Sequence, residues 1–111
     1  MKKDQSIHIH DMVASIDLIQ NNIKQCSYDK FLKDITLQDA IIRRLQIIAE
    51  AARRIDNAFK ALHEEIPWQK INGLRNAIVH DYDDVDLESI WDTITHDLPT
   101  LKESLMRLQV P

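Results

Sequence analysis

Apolar residues recur at alternating intervals of three and four along most of the chain, and this spacing limits the fold more than any other feature. Residues spaced in this way line one side of an α-helix and pack it against its neighbours. Three such stripes occur, at Ile9, Met12, Ile16, Ile19 and Ile23, at Leu45, Ile48, Ala52, Ile55, Phe59 and Leu62, and at Leu87, Trp91, Ile94, Leu98, Leu101, Leu105 and Leu108. The stripes predict an all-α protein, an antiparallel bundle of four to five helices, with Ile48, Ile55, Leu98 and Leu101 in its core.

Composition supports a single helical domain over residues 1–111. The chain is 44% apolar and 29% charged, and its one glycine and three prolines leave few sites for tight hairpin turns. No apolar run exceeds three residues, which excludes a membrane span, and the N-terminal lysines precede no apolar stretch of a signal peptide. We therefore expect a cytoplasmic protein. Its lone Cys26 is expected to be a buried or partly buried thiol.

Local signals predict where the helices begin and bend. Thr36, with an acidic residue three positions later, resembles a capping box, and Asp86 is well placed to cap the last stripe. Residues 28–33 predict a short additional turn of helix. Pro99 lies inside the last stripe and lacks a backbone donor, so a kink or break is expected near residues 95–98.

A further helix is predicted over residues 67–84, beginning at Pro67, which suits a first helical turn. At 100° per residue, its apolar residues form one edge, and its remaining surface carries polar residues, namely Arg75, Asn76, His80 and Tyr82. Gly73 lies in the middle of this helix at a cost of about 1 kcal/mol relative to alanine, which close approach of another backbone would explain. Spacing alone is equally compatible with an ordinary surface helix with incidental polar groups.

Several kinds of site are disfavoured by the sequence. His8 and His10 are two residues apart and point to different sides of a helix, and no Glu-x-x-His motif of a di-iron bundle is present. Neither the P-loop motif nor the glycine-rich dinucleotide-binding motif occurs, and a chain with one glycine could contain neither. The arginine pairs at 43–44 and 53–54 are interpreted as a solvated face. Because the net charge is −4, any RNA site must be a local basic patch on an acidic protein.

The segment that includes Pro67-Trp68, Gly73-Leu74-Arg75-Asn76 and Val79-His80-Asp81-Tyr82 resembles the HepT-like toxin family of the HEPN superfamily. The hallmark of that family, Arg-x4-His-x-Tyr, is matched in full by Arg75, His80 and Tyr82. The resemblance implies a homodimer and a metal-independent endoribonuclease without cofactors. It also implies a type II or type VII-like toxin–antitoxin pair, whose partner nucleotidyltransferase attaches AMP to the motif tyrosine.

The residue types suit that chemistry. RNA cleavage without a metal needs a base for the ribose 2′-OH, an acid for the leaving 5′-oxygen and a fixed cation for the phosphate. His80 titrates near neutrality and Arg75 is permanently charged, so they are the candidate catalytic residues. Asn76 and Tyr82 are candidate supporting or RNA-binding residues. The motif supplies one histidine, whereas the reaction needs both a base and an acid. This favours a dimer that brings the two copies of His80 into one groove.

Tyr82 has two interpretations, as a ring that stacks on a base and as the acceptor of AMP. A different kind of function also fits the sequence: a non-catalytic helical adaptor that binds a nucleotidyltransferase or RNA without cleaving it.

Overall fold

The computed structural model describes residues 5–79 and 86–108, with side chains through Leu74 in the helix that ends at Val79. Its helices are α1 (Ser6–Ile23), α2 (Tyr28–Lys33), α3 (Ile35–Arg54), α4 (Asn57–Leu62), α5 (Trp68–Val79), α6 (Leu87–Asp92) and α7 (Leu98–Met106), with a π-helical turn at Thr93–Asp97 between the last two. Within these ranges no strand occurs. The all-α prediction is confirmed.

The two longest helices, α1 and α3, pack antiparallel at the centre of the fold. Gln5, at the start of α1, donates its side-chain amide to the Asp56 carboxylate at 3.2 Å, and its amide oxygen accepts from the Asp56 backbone N–H at 2.9 Å. Because Asp56 follows the end of α3, the start of one helix meets the end of the other. The buried stripe of α1 faces α3, which also packs against α5.

The core contains the residues that the stripes predict. Ile48, Ile55, Leu98 and Leu101 are at most 6% exposed, so all four core predictions are confirmed. Cys26 is partly buried, as expected, and its thiol lies 3.3 Å from the Ser27 carbonyl oxygen.

The second stripe does not follow one continuous helix, which corrects the sequence interpretation. Helix α3 ends at Arg54, Ile55 is extended, and α4 begins at Asn57. Ile55 is still buried and Phe59 still packs against the core, but the change of chain direction turns Leu62 away from the core. Leu62, at the end of α4, is consequently 78% exposed.

The start of α3 also differs from the prediction. The N-cap is Asp34, whose carboxylate accepts from the Leu37 backbone N–H at 3.0 Å, so the helix begins before Thr36. Asp34 simultaneously follows the last residue of α2, a helix that lies where it was predicted. Because α2 and α3 share this single boundary residue, no room remains for a cap at Thr36.

The irregularity predicted before Pro99 is present as a widened turn. Thr93–Asp97 is π-helical, and the Leu98 backbone N–H donates to the Thr93 carbonyl, five residues back. The Thr95 hydroxyl donates to the Trp91 carbonyl at 2.6 Å. This turn lets one apolar stripe continue past a proline that cannot donate a hydrogen bond.

Further contacts attach the C-terminal helices to the bundle. The Lys102 ammonium lies 2.6 Å from the Asp17 carboxylate and joins α7 to α1. The Trp91 ring packs against Phe31 and Tyr28, with ring centroids 5.2 and 5.8 Å apart. Asp86 caps α6 by accepting from the Ser89 backbone N–H at 3.1 Å, as predicted.

No helix in the described part of the chain is long and apolar enough to cross a membrane.

Candidate functional site

Helix α5, which carries the first part of the motif, is anchored at its beginning. The Trp68 indole N–H donates to the His63 carbonyl at 3.0 Å, and the Lys60 ammonium lies 5.6 Å from the centroid of the indole ring. The Pro67 carbonyl accepts from the Ile71 backbone N–H at 3.1 Å, and Ile71 is buried. The first turns of α5 are therefore fixed against the bundle.

The four predicted site residues fall at the edge of what the structure describes. Arg75 and Asn76 belong to α5, directly after Leu74, but their side chains are not among those described. His80 and Tyr82 lie outside the described residues. The structure therefore places the first half of the motif on an anchored helix, and the arrangement of the four side chains stays a prediction.

Gly73 is an exposed residue of α5 with open space beside it. A methyl group built on it would meet no described atom within 4 Å, apart from its chain neighbours and its own helix backbone. Its φ angle is not positive, so the backbone conformation does not require glycine. The close backbone approach expected from the sequence is therefore not made by the described part of this chain.

A cleft of about 270 Å³ opens between α5 and the C-terminal helices. Its lining is apolar at Pro67, Ile71, Leu74, Leu98 and Leu101, with Gly73 on one wall and polar groups from Lys70, Thr93 and Asp97. Thr93 and Asp97 are the first and last residues of the π-helical turn. No motif or spacing in the sequence indicated this cleft. The only sequence signal near it was Pro99, which marked an irregular turn without indicating what that turn would face.

The charged groups of the cleft, Lys70 and Asp97, are both exposed, and neither makes an ion pair within the described ranges. A positive and a negative group thus remain available at the two walls of one small, mostly apolar concavity. Small-molecule sites commonly combine a mostly apolar lining with a few polar groups.

Asp86, the first described residue after the motif, is held in its charged form. The Ser89 hydroxyl donates to its carboxylate at 2.8 Å, and together with the Ser89 backbone N–H this lowers the pKa of Asp86. Elsewhere, burial and the nearby carboxylates of Glu88 and Asp86 raise the pKa of Tyr28.

The described ranges show no group of three or more His, Cys, Asp or Glu placed to hold a metal ion. On α3, Arg43, Arg53 and Arg54 are exposed and Arg44 is half-buried, and none of the four forms an ion pair with another described residue.

The structure defines a small all-α protein whose candidate site lies on and beside one anchored surface helix. The sequence model of the Ribonuclease HepT-like family matches residues 12–108. The chain therefore belongs to the Ribonuclease HepT-like family.

Individual relatives agree with this assignment. A protein of Thermococcus cleftensis named "Probable ribonuclease HepT" is 37% identical over 109 residues, which cover 98% of this chain and 99% of that protein. A "Putative RNase" of Caldanaerobacter subterraneus is 29% identical, with 91% of this chain and 90% of the relative covered. A Methanocaldococcus jannaschii protein named "Gamma-glutamylcyclotransferase and putative RNase" is 34% identical, but only 49% of its length is covered. No solved structure matches the chain.

The family and its RNase-named relatives support a ribonuclease of the HEPN superfamily, in agreement with the resemblance noted from the motif.

Proposed function

We propose that this protein is a metal-independent endoribonuclease and the toxin of a toxin–antitoxin pair. One observation carries the proposal: the family match spans a complete Arg-x4-His-x-Tyr motif whose first residue, Arg75, belongs to the anchored helix α5. An anchored helix presents a catalytic group in a fixed position, which contributes to catalysis by orienting it towards the substrate.

In the proposed reaction, His80 acts as general base or acid and Arg75 stabilises the negative charge that develops on the phosphate. The 2′-oxygen attacks the adjacent phosphorus, the bond to the 5′-oxygen breaks, and the proton lost by the 2′-OH is balanced by one delivered to the leaving oxygen. Asn76 supports this site by orienting the histidine ring or binding phosphate.

Base and acid are both required, and the motif supplies one histidine. We therefore propose a homodimer with its two-fold axis beside α5, so that two copies of His80 share one RNA-binding groove. Sedimentation should show dimers at micromolar concentration. Monomers alone under those conditions would remove the composite site.

Cleavage of RNA in the presence of EDTA tests the activity. His80→Ala and Arg75→Ala should each abolish cleavage and growth inhibition without loss of helical circular dichroism. His96→Ala and Arg53→Ala remove the same groups from exposed positions outside the motif and should cleave normally. Loss of cleavage on addition of EDTA, or near-normal cleavage by His80→Ala, would contradict the proposed chemistry. Binding of RNA without cleavage would favour the adaptor.

Regulation is proposed to act at Tyr82. AMP attached to its hydroxyl by a partner nucleotidyltransferase would place bulk and negative charge beside the site for substrate phosphate. Each AMP adds about 329 Da, calculated from its atomic composition, together with the negative charge of its phosphate. Mass spectrometry of the toxin co-expressed with its partner detects this addition. Tyr82→Phe should stay toxic and escape modification. A neutralised toxin with an unmodified Tyr82 peptide would show that inhibition occurs through binding alone.

A further inference from the structure

The cleft between α5 and the C-terminal helices lies next to the motif along the chain. Gly73, on its wall, precedes Asn76 by three residues, so the two positions are neighbours on one face of α5, about 4.5 Å apart along the helix axis. A base is separated from the phosphate of its own nucleotide by a single sugar. A phosphate bound at Asn76 would therefore bring a neighbouring base within reach of the cleft.

The size and lining of the cleft fit one nucleobase. Its volume of about 270 Å³ is close to the lower end of ligand pockets, which begin near about 300 Å³. The half-buried Leu74 side chain can contact the face of a ring, and the buried side chains of Ile71 and Leu98 line the interior of the cleft. Gly73 has no side chain, so the wall beside it remains open to a flat group.

The polar groups of the cleft indicate which base. The Asp97 carboxylate only accepts hydrogen bonds, and it can accept two from one planar partner. Guanine presents two adjacent donors, N1–H and the N2 amino group. Adenine and cytosine place an acceptor beside their amino group, and uracil has a single donor between two carbonyls. Lys70, on the α5 side, is free of ion pairs within the described ranges and can contact a phosphate.

We propose that this cleft binds a guanine base of single-stranded RNA, with the Asp97 carboxylate accepting from N1–H and the N2 amino group. The position of that base next to the cleaved bond depends on the proposed nuclease function, whereas binding of the base itself does not. Single-stranded RNA is commonly recognised through unstacked bases read at such edges.

The test uses Gly73, because it is the only glycine of the chain. Protein labelled with ¹⁵N-glycine gives one backbone amide signal, and this signal comes from the wall of the cleft. Addition of guanosine monophosphate should change the chemical shift of this signal, and the change should saturate. Adenosine monophosphate, which has the same phosphate, should bind about tenfold more weakly, as expected for the loss of a bidentate base contact.

Asp97→Asn should remove the preference for guanosine monophosphate, since an amide pairs better with the donor and acceptor of adenine. Asp92→Asn is the matched control: it removes a carboxylate one turn earlier that does not line the cleft, and it should bind like the unaltered protein. Equal effects of the two nucleotides, or no effect, would overturn the proposal. A signal that moves with protein dilution instead would show that a second copy of the chain covers the cleft.

Mapping the cut sites in RNA separates this proposal from the nuclease function. The unaltered protein should cut next to guanosine, and Asp97→Asn should lose that preference. Cleavage without base preference would refute the position of the guanine next to the cleaved bond and leave the nuclease function intact. Binding of guanosine monophosphate by a protein that cuts no RNA would support the guanine site and refute the nuclease function.

Discussion

Replacing Gly73 with alanine should stabilise this protein while weakening its proposed base site. Glycine within a helix costs about 0.8 to 1.0 kcal/mol relative to alanine, because the unfolded chain loses more conformational freedom. The new methyl group would meet no described atom within 4 Å, and no positive φ angle opposes it. The expected gain in the free energy of unfolding is therefore about 0.5 to 1 kcal/mol.

Thermal unfolding followed by circular dichroism measures this gain. For a helical protein of this size, 1 kcal/mol corresponds to about 4 to 8 °C, so the midpoint should rise by about 2 to 8 °C. The matched control is Ala14→Gly, which makes the reverse change at an exposed position inside α1 and should lower the midpoint by a similar amount. Urea unfolding should give an unchanged slope for both variants.

The same methyl group narrows the cleft, so Gly73→Ala should bind guanosine monophosphate several-fold more weakly in spite of its greater stability. A lower unfolding midpoint would refute the argument, because it would mean that another group already occupies the space beside Gly73. If the loss of stability also grew with protein concentration, that group would belong to a second copy of the chain.

Other changes test the fold and its dependence on pH. Asp34→Ala should cost about 1 kcal/mol in urea unfolding, as is usual for an N-cap, whereas Thr36→Ala should cost close to nothing if Asp34 alone caps α3. Leu98→Ala should cost about 2 to 5 kcal/mol because it opens a cavity in the core, and the exposed Leu62→Ala should leave the unfolding midpoint nearly unchanged. The pKa of Asp86 is lowered in the folded state, so its contribution to stability is present above the ordinary carboxyl pKa and is lost as the pH falls through the lowered value. As the pH falls through that range, Asp86→Asn should therefore lose less stability than the unaltered protein. The same dependence of the unfolding free energy on pH in both proteins would contradict the lowered pKa of Asp86.

The helices were predictable from the sequence because burial along a helix follows a local period. Ile16, Ile48 and Leu101 are buried since each repeats the spacing of its own stripe, whichever helix lies opposite. The Asp86 cap was predictable for a related reason, because its carboxylate accepts from a residue only three positions away. The motif could also be recognised in the sequence from the spacing of Arg75, His80 and Tyr82, whereas the geometry of its side chains could not be predicted.

Competition between neighbouring elements decided what the sequence could not. Asp34 and Thr36 are both reasonable caps, and the position of α2 against α3 selects the first. Asp56, directly after the break at Ile55, bonds to Gln5, 51 residues earlier, and no local pattern predicts a contact over that separation.

The sequence by itself determined an all-helical chain with a recognisable motif, because periodic burial and short-range capping are properties of consecutive residues. Only the tertiary structure created the cleft, since Lys70 and Asp97 belong to different helical segments whose spacing along the chain implies no contact. Their proximity arises from the packing of the helices around one shared core, and that packing depends on all of the buried residues together.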